Sequence, residues 1–131
     1  MPHITIEHSD NLDPGHDLDA LVERIRLAAI GTGVFPEAGV RVRLVPCRHF
    51  AVADAHPANG FAAVLLRVGE GRDVDTRARA SRAIHDVVCD FFAEELAGGH
   101  FMVSTDLQVN EAAVSHKTNP VHARLATRNS P

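Results

Sequence analysis

The segment FAAVLLRV at residues 61–68 constrains this chain more than any other, because only Arg67 interrupts its apolar character. A short apolar run closed by the turn residues Gly69, Glu70, Gly71 and Arg72 is the pattern of a strand covered on both sides. Successive strand residues point to opposite faces, so Ala62, Val64 and Leu66 require one cover and Phe61, Ala63 and Leu65 another. The elements around it must supply the first.

Residues 3–8 alternate Ile4 and Ile6 with Thr5 and Glu7, which predicts a strand almost at the first residue. After Asn11, Pro14 and Gly15, a stripe of Leu18, Leu21, Val22, Ile25, Ala28 and Ala29 predicts a helix from near Asp17 to Gly31 and Gly33. Val40, Val42 and Leu44 then alternate with Arg41 and Arg43, so both arginines project from one face of a second strand. Pro46 ends that strand or confines it to a sheet edge. Beyond residues 61–68, a helix is expected from Asp73 to about Ala97, with Ser81, Ile84, Val88 and Phe91 on its stripe and Gly98-Gly99 as its stop. A fourth strand follows over residues 101–109.

The order is β-α-β twice, an α+β fold with a duplicated unit and a four-stranded sheet carrying two helices on one face. One domain over residues 1–131 is expected, with its first unit at about 2–51, its second at about 61–109 and a tail at 110–131. Two helices cover one sheet face, and a neighbouring subunit is the economical cover for the other, which makes the chain an expected homo-oligomer.

Composition narrows the function. No apolar run approaches the roughly 20 residues of a membrane span, and the N-terminus has no signal-like core, so a cytoplasmic protein without membrane partners is expected. A formal charge of −4 and the lack of a basic patch with interleaved aromatics argue against nucleic acid. Cys47 and Cys89 lie far apart outside any CxxC pattern and read as free thiols. The nine histidines show no HxH, HxxxH or HExxH spacing, so no metal site is expected. Arg77, Arg79 and Arg82, with Asp75 and Asp86, form the wet side of the second helix.

Pro2 is the most informative residue. A starting Met before proline is normally removed, which leaves a secondary amine that burial can bring toward neutral pKa, where a group both accepts and returns a proton. Position alone leaves open a proline that follows Met by chance. Arg41 and Arg43 are equally compatible with a solvated edge strand, and Gly69 and Gly71 with a tight turn; Val74 occupies the place of the third glycine of a phosphate loop.

PHITIEHSDNL at the start, GVFPEAGVRVR, GEGR and HKTNPVHA, in that order, resemble the 5-carboxymethyl-2-hydroxymuconate isomerase family of the tautomerase superfamily. The resemblance runs from Pro2 to about Leu125. It implies a trimer of duplicated β-α-β chains, Pro2 as catalytic acid/base, and Arg41 and Arg72 as substrate-binding residues, with Arg43 unassigned. It also implies a cofactor-free isomerase acting on a dicarboxylic or tricarboxylic 2-hydroxymuconate-type substrate in aromatic compound catabolism, on the homoprotocatechuate route. The alternatives are a trimeric small-acid binding protein without turnover and a phenylpyruvate-type keto-enol tautomerase.

Overall fold

A computed structural model describes residues 1–128, and residues 129–131, the end of the expected tail, lie outside the described residues. Strand β1 (His3–Ser9) leads through helix α1 (Leu18–Gly31) and a 3-10 turn (Glu37–Gly39) to strand β2 (Arg41–Cys47). Strand β3 (Gly60–Gly69), helices α2 (Val74–Phe91) and α3 (Ala93–Ala97) and strand β4 (Phe101–Asn110) form the second unit, and helix α4 (Pro120–Arg128) lies in the tail.

The sheet order is β2-β1-β3-β4. β1 pairs parallel with β2 and β3 parallel with β4, while β1 and β3 meet antiparallel in the register His3↔Arg67 to His8↔Ala62. Pro46, which cannot donate to a ladder, sits on the edge strand β2 as expected.

One sheet face carries Ile4, Ile6, Ala62, Val64, Leu66 and Val68, all buried against Leu21, Ile25 and Ala29 of α1 and Ala80, Ile84 and Val88 of α2. Both helices start where the sequence places them, because Asp17 accepts from the Ala20 amide and Asp73 from the Thr76 amide as N-caps. The expected single second helix is instead two. Its buried stripe runs Ala80, Ile84, Val88, Phe92, each four residues on, so Phe92 and not Phe91 is the fully buried aromatic. Phe92 leaves the helical region at φ −99°, ψ 25° as it turns inward and separates α2 from α3. Arg79, expected to be merely solvated, donates to the Thr32 carbonyl at 2.8 Å and so closes the end of α1.

The second sheet face is open in the single chain. Phe61, Ala63 and Leu65 are half-buried there, as the two-faced strand requires, but the strands beside β3 are polar on this side. Thr5, Glu7, Arg43, Arg67, Asp106 and Gln108 line a depression of about 590 Å³ with Ala63 and Leu65 at its floor. Neither α3 nor α4 covers it: α4 packs on the Glu37–Gly39 turn, where Arg128 pairs with Glu37 at 3.0 Å. Among the described residues no helix is long and apolar enough to cross a membrane.

Phe92→Ala should lower unfolding stability by about 3–5 kcal/mol, the usual cost of deleting a buried aromatic side chain. Leu27→Ala, at a residue 54% exposed on α1, should change it by less than about 0.5 kcal/mol. Urea titration of both variants checks the pair.

Candidate active site

At one end of the sheet four chain segments meet. β1 and β2 begin there, because they are parallel, and β3 and β4 end there, because they run antiparallel to β1. Each expected site residue is adjacent to one of these ends: Pro2 immediately before β1, Arg41 as the first residue of β2, and Arg72 in the turn after β3. The segment after β4 adds Lys117 and Asn119, to which the sequence reading assigned no individual role.

Pro2 is fully buried, and its carbonyl accepts from the Arg41 amide at 3.3 Å, which fixes the start of β1 against the start of β2. Met1 precedes it in the structure and lies on Gly39. A Cβ on Gly39 would stand only 2.9 Å from Met1 Cγ and 3.1 Å from Met1 Cα, so any other residue there would displace Met1. The Met1 side chain meets two donors, the Asn119 amide at 3.1 Å and the Arg41 guanidinium at 3.8 Å from Sδ. A thioether is a weak acceptor, so these groups are better matched to an oxygen than to the atom before them.

Arg72 is held differently. Gly71, at φ +110°, makes the turn that only glycine adopts without strain. The Arg72 Nε donates to the Val34 carbonyl at 3.2 Å, Nη1 donates to the Gly69 carbonyl at 3.3 Å, and the guanidinium lies 5.1 Å over the Phe35 ring. Two backbone carbonyls and one aromatic face thus orient the fork, and its Nη2 group has no partner among the described residues. Arg43, left unassigned by the sequence, faces the open side of the sheet, with Nη1 3.5 Å from His3 Nδ1.

The charges that act on the N-terminus are cationic. Burial, followed by the charges of Lys117, Arg72 and Arg41, holds the Met1 amine below the ordinary α-amine range. Burial and the guanidiniums of Arg41, Arg43 and Arg67 likewise push the His3 imidazole down, favouring its neutral form. Such a site suits anionic ligands and a neutral nitrogen. Among the described residues, no group of three or more His, Cys, Asp and Glu side chains is placed to hold a metal ion. Cys47 and Cys89 are both free thiols.

A model of the 5-carboxymethyl-2-hydroxymuconate isomerase family matches residues 2–125. The chain belongs to that family. A 5-carboxymethyl-2-hydroxymuconate Delta-isomerase of Escherichia coli is 28% identical over 123 residues, 94% of this chain and 98% of that protein. The crystal structure of a 5-carboxymethyl-2-hydroxymuconate isomerase from Deinococcus radiodurans R1 is 30% identical with a TM-score of 0.88, covering 95% of this chain and 93% of the other. A fused 4-OT symmetric trimer shares the fold at 17% identity and a TM-score of 0.64, over 92% of this chain and 98% of its own. The order of elements expected from the sequence is the one the structure shows, and the family match runs over nearly the whole chain.

The sequence offered one local signal for the missed side of the site. Asn119-Pro120 is a helix start, in which Asn119 Oδ1 accepts from the Val121 amide at 3.0 Å and Pro120 fills the first turn of α4, where its missing N–H costs nothing. Nothing local indicates that the Asn119 amide nitrogen turns back to the Ala38 carbonyl, 2.9 Å away and 81 residues earlier in the chain.

In the chain that retains Met1, the α-amine should titrate below its ordinary range of about 7.7–8.0, and Arg41→Gln should raise that midpoint by removing a like charge. Labelling of the amine across pH, read by peptide mass, measures both. An ordinary midpoint insensitive to Arg41 would contradict the electrostatic description.

Proposed function

We propose that this protein is a cofactor-independent isomerase that shifts a double bond in 5-carboxymethyl-2-hydroxymuconate or a closely similar 2-hydroxymuconate, with Pro2 as acid/base and Arg41 and Arg72 as substrate-binding groups. The observation that carries the reading is the convergence of Arg41 and Asn119 donors on the Met1 thioether directly before the buried Pro2. Removal of Met1 opens that volume and turns the Pro2 nitrogen from an amide, whose lone pair is delocalised, into a secondary amine that can take a proton.

The reaction needs one base and an anion-stabilising wall. The neutral Pro2 amine takes the proton of the 2-hydroxyl group; the O–H electron pair becomes the C=O bond, the conjugated electrons shift along the chain, and the same nitrogen returns the proton to carbon. The O–H bond is lost and a C–H bond is gained, with no net oxidation. Bidentate guanidinium contacts hold the carboxylates and draw charge away from the dienolate as it forms. Burial and the charges of Lys117, Arg72 and Arg41, which depress the amine of Met1, act in the same sense on an amine one residue later and keep Pro2 neutral at lower pH.

Assembly belongs to the same reading. The open sheet face, with its half-buried Phe61, Ala63 and Leu65, is covered in the proposed homotrimer by neighbouring subunits, and a fused 4-OT of the same fold is a symmetric trimer. The cytoplasm, where no disulfide would link Cys47 and Cys89, is the compartment this reading expects.

Processed protein, verified by mass to lack Met1, should isomerise 5-carboxymethyl-2-hydroxymuconate at a rate that rises with pH as the Pro2 cation loses its proton. Protein extended before Pro2 should be inactive, and Arg41→Ala or Arg72→Ala should lower turnover about 10²-fold or more. Full turnover by the extended chain would remove Pro2 as the base; binding without proton exchange would make the protein a small-acid binder. Light scattering at micromolar concentration should give the mass of a trimer, and a stable monomer would refute the proposed cover of the open face.

A further inference from the structure

The segment after β4 crosses the end of the sheet and is tied down on both sides of Lys117. On one side Asn119 donates to the Ala38 carbonyl at 2.9 Å and to the Met1 thioether at 3.1 Å; on the other the Ala112 amide donates to the Glu70 carboxylate in the turn after β3. Two residues span at most about 7 Å, so the Lys117 backbone is fixed close to the space that Met1 fills. Its exposed ammonium forms no ion pair among the described residues and donates to Ser115 Oγ, at 3.3 Å, within its own segment. Lys117 is also the single lysine of a chain whose other basic residues are all arginine.

The ligand chemistry supplies what that cation lacks. A 2-hydroxymuconate carries two carboxylates, and a 5-carboxymethyl substituent adds a third on a rotatable methylene. Arg72 is a rigid partner, held by two carbonyls and Phe35. A compact ammonium on a flexible four-carbon stem matches a carboxylate that itself swings.

Resting on the reading above, we propose that Lys117 is the specificity-determining residue for the third carboxylate, so that the tail selects tricarboxylic over dicarboxylic substrates. Asn119 acts as its positioning residue by fastening the segment to Ala38. Arg43 is the competing cation, two residues along β2 from Arg41 on the same strand face, with its guanidinium beside His3.

The test uses processed protein and two stable acids that differ by one carboxylate, propane-1,2,3-tricarboxylate and pentanedioate, with binding measured by calorimetry. Lys117→Met should raise Kd for the tricarboxylate about tenfold more than for the dicarboxylate, the scale of one charge-assisted hydrogen bond, and Lys117→Arg should restore most of the difference. In turnover of 5-carboxymethyl-2-hydroxymuconate the Lys117→Met loss should fall on KM rather than kcat. Equal loss for both acids, no loss for either, or the selective loss appearing in Arg43→Met instead would overturn the proposal. Wild-type turnover, measured separately, reports on the isomerase reading alone, since selective binding does not depend on it.

Discussion

The antiparallel pairing of β1 with β3 is the contact on which everything else depends. Each β-α-β unit by itself is a parallel pair with one long helix, too small to bury its strands. Joining the two through their first strands makes Ile4, Ile6, Ala62, Val64 and Leu66 the centre of one sheet, with α1 and α2 side by side above them. The same pairing fixes where chemistry is located. Because the units run in opposite directions, the beginning of the first and the end of the second fall together, and the N-terminus, Arg41, Arg72 and the tail gather at one sheet end.

Burying an N-terminus among cations has a cost, visible in the pKa of the Met1 amine and of His3, both lowered by burial first and by the neighbouring charges second. The fold offsets part of it locally. Arg72 is surrounded by backbone carbonyls and an aromatic face, all of which favour its charge, and its orientation is set before any ligand arrives. Preorganised charge of this kind acts more strongly on a developing anion than mobile charge in water, because nothing has to reorient during the reaction. Asn119 performs the equivalent task for the tail, holding it to Ala38 by a single amide while its oxygen starts α4.

The two sheet faces differ for reasons that β3 alone does not reveal. Its own residues are apolar on both sides, which led to an expectation of an apolar second face. Thr5, Glu7, Arg43, Asp106 and Gln108 from the neighbouring strands make that face mixed, so a partner meeting it must match charge as well as exclude water from Phe61 and Leu65.

The sequence by itself marked, through local signals, the four strands and the two long helices in their order, though not the break between α2 and α3 or the helix in the tail. Period-2 alternation marks β1 and β2, the Asp17 and Asp73 caps mark the helix starts, and both signals survive in the structure because they are local. It also marked Pro2, Arg41 and Arg72 as candidates, through short motifs in a characteristic order. What it left undecided required contacts between distant residues. Phe92 replaces Phe91 in the core because the path of α2 over the sheet, and not the helical period alone, decides which aromatic turns inward. Lys117 and Asn119 lie at the candidate site only because β4 ends at the sheet end where β1 starts, with β3 between them, and the Asn119–Ala38 contact closes a loop of 81 residues. Local propensity acts over a few residues, whereas a hydrogen bond across that separation exists only once sheet pairing has already brought its two ends together.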